Sequence, residues 1–420
     1  MRIREWICLQ TILAMTLLFG AMVSGAAAGD WPQWRGPTRD GDAPDFAAPA
    51  SWPKKLSLAW KREVGGGDSA PLVVGETVFV FSRQDEQETL TTLSLADGEV
   101  RWSQQETVPY VPIPIVRGHK AGPFSTPLYA DGLVYTFGIS GTLTARDAKT
   151  GDLIWQREFS SEFKKTRPLY GVGTSPILID GKLITHIGGT GGGALAAFDP
   201  KTGDDLWRWS GDGPAYSSTG SIKLGGRTFV ASLAQEHFIG VDVADGQLLF
   251  QQPWKVAFGA ASPSPVIIDD LIVIASERHP TTAFRMVASG DGIQLEPVWD
   301  NNDVWCAMST PVVVGDRIFA YATQQKGRLV ALDSSSGEIV WKGPPRQGSH
   351  AHLITAGNLV IALFNDGKMV VLDATAETYR ELARYEELTE SEAWAHPALI
   401  DQRLVLKDWK DVYVWEITAD

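Results

Sequence analysis

The sequence predicts an all-β fold: an eight-bladed β-propeller of four-stranded antiparallel blades, with the ring closed by the N-terminal strand. Three observations carry this expectation. From Ser69 onward a small-residue start, an apolar strand, an acidic-glycine turn and a closing aromatic recur roughly every 46 residues, the period of a four-stranded blade. Period-2 alternation fills the stretches between turns, as in Arg317-Ile318-Phe319-Ala320-Tyr321, which is the pattern of strands rather than helices. Finally, eight starts are matched by only seven internal closing strands, and residues 58–64, ahead of the first start, read like the missing one.

The chain opens with Arg2 and Arg4, an apolar run over 11–23 and the small-residue stretch Ser24-Gly25-Ala26-Ala27-Ala28-Gly29. A charged start, a short apolar run and a small-residue zone describe a secretory signal peptide. The run is short for a membrane span of ~20 residues, so residues 1–29 are expected to be a signal peptide cleaved near Ala28. No membrane span is then expected in the mature chain. Cys8 precedes the apolar run, where it cannot serve as a lipid attachment site. Residues 30–55 form a lead segment, and 56–420 a single propeller domain.

The blade starts follow in order: Ser69-Ala70-Pro71, Ser125-Thr126-Pro127, Ser175-Pro176, Ser218-Thr219-Gly220, Ser264-Pro265, Ser309-Thr310-Pro311, His350-Ala351-His352 and His396-Pro397. Each is followed by a turn such as Asp131-Gly132 or Asp180-Gly181, then by a second turn such as Asp97-Gly98 or Thr202-Gly203. The closing aromatics are Trp60, Trp102, Trp155, Trp207, Phe250, Trp299 and Trp341, and blade 7 carries Glu381 instead. Joining residues 58–64 to the last blade hides two sheet edges that an open ring would expose. A closing Trp buries a large flat surface between blades. The turn Gly takes a conformation other residues resist, and the Asp accepts backbone N–H groups there. These columns are read as structural.

A net charge of −13 argues against nucleic acid or anionic lipid as the main partner. Once Cys8 is removed, Cys306 stands alone, so no internal disulfide is expected. Its place before a blade start reads as a small buried hydrophobe.

The copies Arg328-Leu329-Val330-Ala331-Leu332-Asp333-Ser334-Ser335-Ser336-Gly337-Glu338-Ile339-Val340-Trp341 and Thr144-Ala145-Arg146-Asp147-Ala148-Lys149-Thr150-Gly151-Asp152-Leu153-Ile154-Trp155 resemble the pyrroloquinoline quinone (PQQ)-type propeller repeat. Asp30-Trp31-Pro32-Gln33-Trp34-Arg35-Gly36-Pro37 resembles the lead sequence of exported PQQ-like propellers. The resemblance implies a periplasmic or secreted location and one of two roles. Quinoprotein dehydrogenases of this family hold PQQ and calcium on the ring axis and oxidise an alcohol or sugar with an Asp base. BamB-type members are cofactor-free scaffolds that help assemble outer-membrane proteins. Adjacent cysteines and a Cys-x-x-Cys-His haem motif, which mark many dehydrogenases of the first kind, do not occur. The chain is therefore read as a binding or scaffolding protein with no assigned cofactor. A quinoprotein oxidoreductase using PQQ and calcium is the alternative, and a metal-assisted enzyme acting on polysaccharide is a third reading. The expected partners are other exported or envelope proteins, or a small anionic or sugar ligand.

In a propeller, the connections between blades and those between the two middle strands share one face. The long ones cover 83–88, 108–124, 160–170, 188–193, 277–282 and 324–327. Arg117, His119, Lys165, Arg167 and Arg278 lie on them and would form a cationic mouth for a carboxylate, phosphate or sulfated sugar. His350 and His352 are two apart on an inner strand and His396 starts the next, so all three face the axis region. They are carried as ligand-binding candidates, and no metal ligand and no catalytic residue is assigned.

Overall fold

The computed structural model describes residues 29–112, 120–163, 169–189, 191–256 and 259–418. They form eight four-stranded antiparallel sheets arranged as successive blades. Blade 3 is typical: Ile177–Ile179, Lys182–Gly189, Gly192–Phe198 and Asp205–Trp209 run from the axis outward. Blade 8 consists of Ala398–Ile400, Arg403–Lys407 and Asp411–Glu416, and Ser57–Glu63 completes it from the other end of the chain. Its register pairs Trp60 with Val414 and Glu63 with Asp411. The ring therefore closes through the N-terminal strand, as the surplus start in the sequence requires.

Local chemistry explains the strand boundaries. Turns between the first and second strands use Asp131, Asp180, Asp269 and Asp401, all at positive φ, a conformation that Asp and Gly tolerate and that two-residue hairpins need. At the turn before the closing strand, five blades carry a glycine with a steric reason. A Cβ on Gly203 would lie 2.7 Å from the Trp155 ring, and Gly98, Gly151, Gly246 and Gly337 meet Trp60, Trp102, Trp207 and Trp299 in the same way. Each indole thus lies flat on the next blade's turn. There it also donates Nε1–H to a carbonyl: Trp60 to Leu95 (2.8 Å), Trp155 to Pro200 (2.8 Å), Trp207 to Val243 (2.9 Å) and Trp299 to Ser334 (2.9 Å).

Two seams depart from this pattern. Phe250 has no such donor and packs on Phe229 and Phe238. Trp341 meets Tyr379 at 5.4 Å in blade 7, where the turn glycine is missing, and its Nε1 is buried without an acceptor among the described residues. Cys306 is fully buried, and burial pushes its thiol up to about 12. Among the described residues no helix is long and apolar enough to cross a membrane.

Candidate functional site: the ring axis and the cleft over blades 3 and 4

Antiparallel meanders put the connections between blades on one face, together with the hairpins of the two middle strands. Each innermost strand starts at that face, beside the axis. The start hydroxyls there form a belt from blade to blade. Ala70 N–H donates to Thr126 Oγ1, Thr126 N–H to Ser175 Oγ, Ser175 N–H to Ser218 Oγ, Ser218 N–H to Ser264 Oγ and Ser264 N–H to Thr310 Oγ1, at 3.0–3.3 Å. This accounts for the Ser/Thr column: each hydroxyl satisfies a backbone donor of the preceding blade that the short inner strand leaves bare.

At blades 7 and 8 the column changes to Ala351 and His396, and the belt gives way to an imidazole cluster. His350 and His352 have ring centroids 4.3 Å apart, and His352 and His396 5.1 Å apart. One choice of tautomers joins these groups in a single chain. Ala351 N–H donates to Ser309 Oγ, and that hydroxyl donates to His350 Nδ1. His350 Nε2–H then donates to His352 Nδ1 (3.3 Å), and His352 Nε2–H to Trp394 O (3.0 Å). His396 Nδ1 donates to Pro397 O, and its Nε2 is buried with no partner among the described residues. Burial, reinforced by neighbouring cations and imidazoles, holds all three well below the usual histidine range, with His352 at about 4. The lone pairs of His350 and His352 are thereby committed to hydrogen bonds. Among the described residues no group of three or more His, Cys, Asp or Glu is placed to hold a metal ion.

The lead segment occupies the axis beside this cluster. Trp31 forms an antiparallel bridge with Val73 of blade 1, Pro32 O accepts from Tyr129 N–H of blade 2, and Asp42 bridges to Thr355 of blade 7. Trp31 also stacks on His396 of blade 8 at 6.2 Å. Between these anchors two arginines reach into the ring. Arg35 donates to the carbonyls of Thr310 (3.1 Å) and Pro311 (3.0 Å) in blade 6, and to those of Arg39 and Asp40. Arg39 donates to Thr219 O (3.2 Å) of blade 4, to Pro176 O (2.9 Å) and Ser175 O (3.3 Å) of blade 3, and to Gln33 Oε1. The Trp34 ring lies 5.5 Å from each guanidinium carbon. Burial pulls Arg35 down to about 10 and Arg39, with Arg35's charge adding to the effect, down to about 9. Both stay charged at neutral pH.

A cleft of about 520 Å³ opens on the connection face, within the usual size range of small-ligand sites. It lies between the middle hairpins of blades 3 and 4 and the connections that follow them, with Leu169 at one wall. Its polar centre is Asp212, whose Oδ1 accepts from Gly213 N–H and whose Oδ2 accepts from Glu236 N–H and His237 Nδ1. His186 sits behind that wall, with Nε2 donating to Asp212 O at 3.0 Å, and burial holds the ring down at about 4. Glycines 191, 192, 193, 211 and 213 line the cleft, so bare peptide groups form much of its surface. At the rim, exposed Lys255 pairs with Glu236 at 2.8 Å.

Of the cationic mouth, Arg117, His119, Lys165 and Arg167 lie outside the described residues. Arg278 is exposed on the blade 5 hairpin with its Nε 3.8 Å from Glu277. At the seam of blades 8 and 1, Lys120 lies over the Trp409 ring at 4.8 Å. Behind it the buried Lys407 donates to the carbonyls of Gly67, Asp408 and Trp409, and burial holds it down to about 8. Neighbouring Asp68 is pushed up to about 6 by burial, against the pull of Lys407. The sequence reading brought the three histidines to notice but passed over Arg35, Arg39, Asp212 and His186. The signal for the first two was two Trp and two Arg within nine residues of the lead segment.

The quinone and calcium that the resemblance implied for the axis meet a poor donor set there. A calcium ion takes six to eight oxygens, typically with carboxylates among them. Here the inner-strand carbonyls of blades 3, 4 and 6 are taken by guanidinium groups. A divalent cation among them would add a third buried positive centre.

Comparison with known proteins agrees on the family and divides on the role. A family profile described as outer membrane protein assembly factor BamB matches residues 57–121, 113–343 and 297–408. The chain is 24% identical over 259 residues to the outer membrane protein assembly factor BamB of Burkholderia pseudomallei, covering 58% of this chain and 62% of that protein. It is 25% identical over 327 residues to the quinohemoprotein alcohol dehydrogenase ADH-IIG of Pseudomonas putida, covering 75% and 38%. It is 30% identical over 167 residues to the dehydrogenase subunit of the quinone alcohol dehydrogenase of Gluconobacter oxydans, covering 37% and 21%. The matched stretch thus spans between 21% and 62% of the length of these relatives. Among solved structures, BamB from Moraxella catarrhalis superposes with a TM-score of 0.63 at 15% identity, covering 86% of this chain and 97% of that one. The quinohemoprotein alcohol dehydrogenase of Comamonas testosteroni gives 0.67 at 15%, covering 94% and 82%. At that identity the structures share the fold alone.

Proposed function

The chain belongs to the outer membrane protein assembly factor BamB family of PQQ-like β-propellers, and on that premise we propose that it is an exported binding or scaffolding protein. In this reading residues 1–29 are removed as a signal peptide and the propeller works in the periplasm or outside the cell. Its partners are other exported or envelope proteins, or a small anionic or sugar ligand, received on the connection face at the cleft over blades 3 and 4. The observation that carries the reading is the filled axis. The place where a cofactor chamber would lie is taken up by Trp34, Arg35 and Arg39 of the chain itself.

The quinoprotein reading draws on the dehydrogenases among the relatives and is opposed by the axial donor set. One titration separates the two. Purified protein is mixed with PQQ and Ca²⁺, and both bound quinone absorbance and dye reduction with alcohols or sugars are recorded. The scaffold reading expects neither. Stoichiometric quinone with dye reduction would overturn it.

A further inference from the structure

We propose that the axis of this propeller is a guanidinium-binding site whose resident ligand is the chain's own lead segment. The inference rests on the axial geometry and holds whichever role the connection face plays. Ordinary buried arginines are paired with carboxylates, because an unpaired buried charge is costly. Among the described residues no carboxylate lies within 4.0 Å of either guanidinium group, and the charge of Asp40 acts on Arg35 from farther off. Their acceptors are backbone carbonyls and the Gln33 amide oxygen.

The arrangement is selective for a planar cation. Arg39 engages Ser175 and Pro176 of blade 3 with its two terminal nitrogens, and Thr219 of blade 4 with Nε. Its donors therefore spread within one plane toward two inner strands, which matches the fork of a guanidinium rather than the compact ammonium of lysine. Proline at 176 carries no N–H, so that position turns an acceptor toward the axis with no competing donor. The Trp34 ring, 5.5 Å from both guanidinium carbons, supplies the aromatic surface on which such cations sit favourably. The ring supplies the carbonyls and the proline, the lead segment supplies the aromatic face of Trp34, and together they make a socket for an arginine side chain.

Arg39→Ala vacates the socket, and N-ethylguanidinium contains the atoms that the substitution removes beyond Cβ. Thermal unfolding of the wild type and of Arg39→Ala is followed with millimolar N-ethylguanidinium, N-ethylurea as the neutral isostere, and sodium chloride. The expected result is a saturable rise in Tm of a few degrees for Arg39→Ala with N-ethylguanidinium alone, and no rise for the wild type. If Arg39→Ala does not stay folded, its refolding yield from urea in the same three additives is the readout. Arg39→Gln, which keeps an amide in the socket, is measured beside it. Equal responses to the cation and to the urea isostere, or an equal response in the wild type, would overturn the proposal.

Discussion

His186 gives an isolated handle on how the cleft wall is held. Its imidazole is fully buried, donates Nε2–H to the Asp212 carbonyl at 3.0 Å, and is held down to about 4 from an ordinary value of 6.5 by burial. A histidine whose folded pKa is depressed binds its proton in the unfolded chain first. The stability it contributes is therefore intact above about pH 6.5 and is lost as pH falls toward 4. Taking 6.5 unfolded and about 4 folded, the linkage relation gives a loss of about 2 kcal/mol between pH 7 and pH 5 from this one group.

The assay is urea unfolding of the wild type and of His186→Gln at both pH values, followed by Trp fluorescence. Other groups titrate in both proteins and cancel in the difference. His350, His352 and His396 act in the same direction as His186. Asp68 and Glu88, pushed up by burial to about 6 and about 7, act oppositely because they take up their protons in the folded state. The lost hydrogen bond lowers the variant's stability equally at the two pH values. The gap between the proteins should narrow by about 2 kcal/mol from pH 7 to pH 5. A gap unchanged within about 0.5 kcal/mol would show that His186 takes up its proton as readily in the fold as in the unfolded chain, and the account of the cleft wall would fail.

Three further outcomes follow from the same geometry. Gly203→Ala should cost about 2–4 kcal/mol, because a Cβ there lies 2.7 Å from the Trp155 ring and the residue sits at φ +74. Gly181→Ala, at φ +71 with open space around it, should cost only about 1 kcal/mol, and a thermal shift comparison of the two isolates the indole contact. Ser218→Ala should cost about 1–3 kcal/mol in chemical unfolding, since it strips the acceptor from the buried Ser175 N–H. Cys306, buried and pushed up to about 12, should resist a thiol-reactive dye in the native protein and react at once in urea.

The blades could be read from the chain because their contacts join side chains with distinctive identities. An indole against a glycine leaves a mark in each partner's column, and Trp155 on Gly203 repeats as Trp60 on Gly98 and Trp299 on Gly337. The exceptions were legible in the same way. Where the glycine is lost in blade 7, Trp341 keeps its ring contact with Tyr379 but leaves its Nε1 without an acceptor. The hydroxyl belt was only half legible. Serine and threonine stood in the column, but their partners are the backbone N–H groups of the preceding blade, which every residue except proline carries.

The axis was hidden for the same reason, carried further. Arg35 and Arg39 bind carbonyls of Ser175, Pro176, Thr219, Thr310 and Pro311, and a carbonyl leaves no trace in sequence. An arginine in an exposed-looking lead and one in the centre of a ring read alike when the acceptors are peptide oxygens. The histidines show the converse. Their side chains were visible as departures from the column, yet their spacing could not say whether three imidazoles would converge on an ion or satisfy one another. The observed chain from Ser309 through His350 and His352 to Trp394 O spends the lone pairs of His350 and His352 on hydrogen bonds. That chain also keeps neutral rings, rather than further cations, beside the two buried guanidinium groups. The imidazole cluster and the arginine socket thus adjoin: the two guanidinium groups are met by carbonyl oxygens and the Gln33 amide, Arg35 also feels the charge of Asp40, and the neighbouring histidines stay uncharged.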